Sequence, residues 1–145
     1  IFNVNDAKRI ELFTLGWISA TRAKLTDWMK QDEDTAFQTI TDVQLASFLN
    51  GLIIERRGTR DGELPIPEKK LNNNIVFKKL RIALNLKDDD IIDILDLVEF
   101  RMGKTELGAF FRNPSQNQYR PCKDQILRNF LNGLQVKYHT DVKQV

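Results

Sequence analysis

Laid on itself at an offset of 82, without a gap, the chain repeats. Twelve residues coincide over 1–58 against 83–140, where composition alone would give about three or four. Asn3 meets Asn85, Asp6 meets Asp88, Ile10 meets Ile92, Leu15 meets Leu97, and Leu25 meets Leu107. Asp42 meets Asp124 and Leu45 meets Leu127, and Phe48-Leu49-Asn50-Gly51-Leu52 falls on Phe130-Leu131-Asn132-Gly133-Leu134. Other pairs are conservative: Val4 with Leu86, Glu11 with Asp93, Trp28 with Phe110, Lys30 with Arg112, Phe37 with Tyr119. Two copies of one segment reuse one way of burying an apolar face, so an element read in either copy is expected in the other.

The period of the apolar residues is helical throughout. Val76, Leu80, Ala83 and Leu84 share one face, with Asn72, Asn73 and Asn74 as N-cap types before them, which predicts a helix over about 74–85. Asp88 reads as the N-cap of a helix over about 89–99, with Asp89 and Asp90 in the first turn, where the dipole favours anions. Asp6 takes the same place before a helix over about 7–17. Short helices follow over 104–112 and 22–30, with Leu107, Phe110 and Phe111, or Leu25, Trp28 and Met29, turned inward. After polar loops, Asp42 and Asp124 are expected to cap the last helix of each copy. Its inner face is Leu45, Phe48, Leu49 and Leu52, or Leu127, Phe130, Leu131 and Leu134. Alternating β-branched residues are scarce, so no strands are expected.

The expected architecture is therefore all-α: a tandem duplication of a roughly four-helix unit, with 1–58 as the first repeat, 59–70 as linker and 71–145 as the second repeat. Pro65 and Pro67 give the linker an extended path. The second copy opens with the Leu71–Ile82 stretch, whose counterpart would precede Ile1, so the first copy is expected to lack its opening helix in this chain.

Chemistry is thin by comparison. One Cys rules out an internal disulfide framework and a multi-cysteine metal site, and one His rules out a histidine cluster. With 22 basic and 20 acidic residues, net charge gives no mandate for nucleic acid or an anionic membrane. Apolar runs such as Gly51–Ile54 fall far short of the roughly 20 residues of a membrane span, and no signal peptide is visible. A cytoplasmic, bacterial-type protein is expected.

Most polar clusters read as structure. Asp88-Asp89-Asp90 reads as a cap and a first turn, because the first copy offers Asp6-Ala7-Lys8, a poor cation ligand set. Asp32-Glu33-Asp34 reads as a solvated loop and His139 as a helix-end histidine. Cys122, aligned with Ile40, reads as a small buried hydrophobe. Asn50-Gly51 and Asn132-Gly133 are the more telling pair. Glycine inside a helix costs up to about 1 kcal/mol against alanine. Keeping it twice points to close approach of another helix, with the Asn hydrogen-bonding nearby. The densest basic stretch runs through Arg56, Arg57, Arg60, Lys69, Lys70, Lys78, Lys79 and Arg81, interrupted by Glu55, Asp61, Glu63 and Glu68. A recognition helix for nucleic acid would expose Arg, Lys, Asn or Gln. The short third helix offers only Arg22, Lys24 and Lys30, or Lys104 and Arg112.

The chain resembles the YehS-like family of small bacterial proteins of unknown function. The resemblance rests on Asn72-Asn73-Asn74-Ile75 with Leu80-Arg81-Ile82-Ala83-Leu84, on Asp88-Asp89-Asp90, and above all on Phe48-Leu49-Asn50-Gly51-Leu52-Ile53-Ile54-Glu55-Arg56-Arg57-Gly58. It implies the duplication and an N-terminus about one helix longer than this one, and it brings no activity or site residue. The second copy departs from it at Gln135-Val136-Lys137-Tyr138-His139, so a role for Glu55-Arg56-Arg57 would exist once. The expected function is that of a non-catalytic helical module that binds a protein or peptide, a second copy of itself included. It has no catalytic residue, cofactor, metal or membrane contact. The alternative is nucleic-acid binding through the basic stretch from Arg56 to Arg81.

Overall fold

The computed structural model describes Lys8, residues 41–58 and residues 66–143, with side chains as far as Tyr138. The described residues are helical, with no strand among them, and form α1 (Asp42–Arg57), α2 (Asn73–Ala83), α3 (Asp88–Asp96), α4 (Lys104–Ala109) and α5 (Asp124–Lys143). Of the helix expected over 7–17, only Lys8 is described, and it is helical. Asp6, the rest of that helix, the helix over 22–30, the loop from Gln31, and Arg60 all lie outside the described residues. So does the side chain of His139.

The chain divides into two compact units. Among the described residues, one holds 72–81 and 85–143, and the other holds Lys8, 41–58, 66–71 and 82–84.

In the unit built from α2 to α5, the core is aromatic at its centre. Phe77 of α2 is fully buried and meets three rings: Phe130 at 4.5 Å between centroids, Phe111 edge-on at 5.0 Å, and Phe110 at 6.3 Å. Ile91, Ile94 and Leu95 of α3 and Leu107 of α4 complete it, with α3 packed against both α4 and α5. Gly133 is what lets α5 approach. A Cβ there would sit 2.7 Å from Ile94 Cγ2 and nearer still to the Ile94 carbonyl oxygen, so any side chain would force the helices apart.

The helix ends differ from the sequence expectation by one residue, for a physical reason. Lys87, not Asp88, is the extended N-cap residue of α3, and its amide donates to Asp90 Oδ2 at 2.8 Å. Asp88 is the first helical residue, and its carboxylate pairs with Arg81. Asp42 and Asp124 likewise open their helices rather than cap them. Thr41 caps α1 in a reciprocal box, with Gln44 N donating to Thr41 Oγ1 at 3.2 Å and Thr41 N to Gln44 Oε1 at 2.8 Å. Asp42 Oδ2 then accepts the Leu71 amide at 2.8 Å.

Three helices are shorter than their periodicity suggests. α2 stops at Ala83 because Asn85 turns left-handed (φ 53°) and Leu86 N reaches back to Arg81 O at 3.0 Å, with Leu86 buried beneath. α3 ends in the same way around Glu99 (φ 59°), with Phe100 N donating to Leu95 O at 3.0 Å. α4 closes at Ala109, before Phe110 and Phe111. α1 ends at Gly58 (φ 76°), whose amide donates to Ile54 O at 2.8 Å.

Candidate functional site

The three consecutive asparagines at the start of α2 have three separate tasks. Asn72 Oδ1 accepts the Ile75 amide at 2.9 Å and is the true cap of α2. Asn73 Nδ2 donates to Cys122 O at 3.0 Å and to Asp124 Oδ1 at 2.6 Å. Asn74 is buried and fully used. Its Nδ2 donates to Phe110 O at 3.0 Å and Arg120 O at 2.9 Å, and its Oδ1 accepts the Cys122 amide at 2.8 Å. One side chain thus satisfies three backbone groups on both flanks of the loop between α4 and α5, groups that would be expensive to bury unpaired. The sequence suggested a cap here. It gave no sign of the bracket, since a buried Asn and a capping Asn are spelled alike.

Cys122 sits inside this bracket, 4% exposed. Burial pushes its thiol up to about 11, so it is neutral at physiological pH and poorly nucleophilic, as its alignment with Ile40 suggests.

The basic stretch expected to meet a partner is not one set of free cations. Arg81 stacks its guanidinium 4.6 Å above the Phe111 ring and holds Asp88 Oδ1 at 2.9 Å. It is engaged in folding its own unit. Arg56 and Arg57 are exposed in the last turn of α1, where cations favour the helix dipole. Lys69 and Lys70 are exposed at a bend just before α2, Lys78 is exposed, and Lys79 is half-buried. Glu55 of α1 pairs with Lys8. On α4, Lys104 holds Asp89 at 2.8 Å, and that carboxylate raises the ammonium above its usual range.

The repeated Asn-Gly pairs part company. Asn50 is 1% exposed and Gly51 is buried, whereas Asn132 is exposed beside the buried Gly133. Close approach explains Gly133, while of the two asparagines Asn50 is enclosed and Asn132 stands in solvent.

Large apolar side chains left in solvent are Ile66, Leu97, Ile82 and Val136. Among the described residues no helix is long and apolar enough to cross a membrane, and no group of three or more His, Cys, Asp or Glu could hold a metal ion.

The model of the family described as "Protein of unknown function (DUF1456)" matches two stretches of this chain, residues 1–58 and 73–139. The chain belongs to the DUF1456 family. It is 43% identical over 141 residues to "Uncharacterized protein YehS" of Escherichia coli (strain K12), covering 96% of this chain and 90% of that protein. No solved structure matches it. Both stretches end within or just after the Asn-Gly helices. The bracket of Asn72 to Asn74 therefore straddles the start of the second DUF1456 match.

Proposed function

We propose that this DUF1456 chain is a bacterial, cytoplasmic, non-catalytic scaffold, built by tandem duplication of a roughly four-helix unit, that works by holding a protein partner. The duplication is supported by the two family matches and by α1 and α5 opening on the aligned residues Asp42 and Asp124. The non-catalytic reading is supported by the use of Asn74, Arg81, Asp88, Asp124 and Cys122 within the fold.

The observation that carries the partner reading is Leu97. It is identical to its counterpart Leu15, yet it stands 49% exposed at the end of α3. Val98, Phe100 and Met102 beside it are only half-buried. The turn is no frayed end, because the Phe100 and Glu99 amides close it on Leu95 O and Asp96 O, each at 3.0 Å. An apolar knuckle fixed before binding loses little entropy on docking. The alternative drawn from the sequence, nucleic acid on the stretch from Arg56 to Arg81, is weakened by the internal engagement of Arg81.

The test is affinity capture from lysate with the intact chain as bait, beside a Leu97→Glu bait, with light scattering of the purified chain. A stoichiometric partner, or a second copy, held by the native chain and released by Leu97→Glu supports the reading. A chain that stays monomeric and captures nothing, or a partner retained equally by Leu97→Glu, overturns it.

A further inference from the structure

We infer that the occupant of the Leu97 knuckle is a Lys- or Arg-rich amphipathic helix of another protein. The inference rests on the partner reading and names the chemistry of that partner. Leu97 leaves α3 in helical conformation (φ −61°, ψ −24°), so Asp93 stands one turn before it on the same side, with Asp96 and Glu99 on either side of it along the chain. All three carboxylates are exposed. Among the described residues, no hydrogen bond or ion pair engages their side chains. The neighbouring cations do not cancel them. Lys104 is held by Asp89, and Arg101, exposed two residues past Glu99, offsets one charge of the three. On α5, Lys137 sits over the Tyr138 ring at 5.7 Å, and Arg128 lies five residues from Gly133, on the side of the helix turned away from α3.

These charges work against the helix that carries them. Asp93 and Asp96 fall at the C-terminal end of α3, whose last turn holds no basic residue, and there the helix dipole disfavours anions. Asp89 and Asp93 at i, i+4, and Asp93 and Asp96 at i, i+3, also repel each other. The repeat does not demand them. Opposite Asp93, Asp96 and Glu99 the first copy has Glu11, Thr14 and Trp17, while the leucine is common to both. A cation docked beside Leu97 relieves this repulsion, because it meets the carboxylates and the negative end of the helix dipole together. A second copy docked on the same face about a two-fold axis would set three carboxylates against three. Nucleic acid and anionic lipid are repelled for the same reason. An amphipathic helix with Leu beside Lys or Arg one turn away supplies both the apolar contact and the opposite charge at the spacing of Leu97 and Asp93.

Fluorescence anisotropy of the intact chain with labelled amphipathic peptides of about 14 residues, four helical turns, tests it. One peptide carries Leu on one face and Lys elsewhere, and a second carries Glu in place of Lys. The Leu–Lys peptide is expected to bind at about 50 mM salt and to weaken at least about threefold by about 200 mM, as screening shortens. The Leu–Glu peptide should not bind. Asp93→Asn with Asp96→Asn and Glu99→Gln should weaken the Leu–Lys peptide at least about fivefold without lowering the melting temperature, since the charges removed oppose the dipole. Leu97→Ser, which leaves the charge unchanged, should also weaken it at least about fivefold. No binding of the Leu–Lys peptide up to about 1 mM, or equal binding of the Leu–Glu peptide, overturns the proposal. Binding lost in Leu97→Ser but kept by the neutralised variant leaves the knuckle as a docking point and overturns its cationic partner. Self-association of the native chain that Leu97→Ser abolishes does the same, in favour of a second copy.

Discussion

α1 and α5 share five consecutive residues and open on the same aligned aspartate, yet they occupy opposite environments. In α1, Ala46, Ser47, Leu49, Asn50, Gly51 and Leu52 are all buried, so the helix is covered on more than one side. In α5, among the residues whose side chains are described, the buried ones are Phe130, Gly133 and Leu134, with Arg128, Asn132 and Gln135 in solvent. The pentapeptide therefore does not dictate its surroundings. The flanking positions do: Ala46 stands against Arg128, Val43 against Gln125, and Ile53 against Gln135. A duplicated helix is specified by the side its neighbours close, and residues off the shared stripe record which side that is.

The sharpest way to break this contrast is to exchange residues across it. Ala46→Arg places a cation where no solvent reaches and should cost at least about 3 kcal/mol in chemical denaturation. Arg128→Ala at the aligned position should stay within about 0.5 kcal/mol. Equal effects would show that the two helices are not differently covered. Gly133→Ala tests the approach of α5 to α3. A methyl group against the Ile94 carbonyl should cost about 1–3 kcal/mol, and an unchanged melting curve would remove close packing as the reason for the glycine. The repeated asparagines should separate next. Asn50→Ala is expected to cost about 1–3 kcal/mol as a buried polar group is deleted, while Asn132→Ala should be neutral or slightly stabilising through helix propensity.

A smaller effect is expected where the helices end. α1 stops at Gly58 with a positive φ, while α5 continues through the aligned Thr140. Gly58→Ala should cost about 1 kcal/mol, read as a lowered denaturation midpoint. The smallest at neutral pH concerns Cys122, which stands where the first copy has Ile40. Its folded thiol titrates at about 11 against 9.0 for the ordinary group, so the unfolded chain loses its proton first. Stability should therefore fall as pH rises from about 9 to about 11 and be insensitive to this group below that window. Denaturation midpoints of the native chain and Cys122→Ala across that range check the sign.

These contrasts also mark what could be read from residues alone. The helical period placed α2 to α5, and it gave the inner face of α5 because that helix is amphipathic, as Phe130 and Leu134 confirm. It underestimated α1, where Ser47 and Asn50 break the apolar pattern while lying inside. The signal was present in the repeat alignment, in Ala46 opposite Arg128, rather than in the helix itself. The caps moved by one residue because aspartate is favourable both as a cap and in the first turn, and composition does not separate the two. Arg81 looked like part of a free basic patch because neither its stacking on Phe111 nor its hold on Asp88 follows from spacing. Leu97 read simply as a repeated apolar residue, because exposure is a tertiary property.

The bracket at Asn74 has an architectural corollary. It clasps the α4–α5 connection only where that segment leaves and re-enters the body, at Phe110, Arg120 and Cys122, so the span from Asn113 to Gln118 hangs between two fastened points. An insertion in this exposed span should disturb neither helix, which makes it the natural place to graft a reporter tag or an epitope into the intact protein.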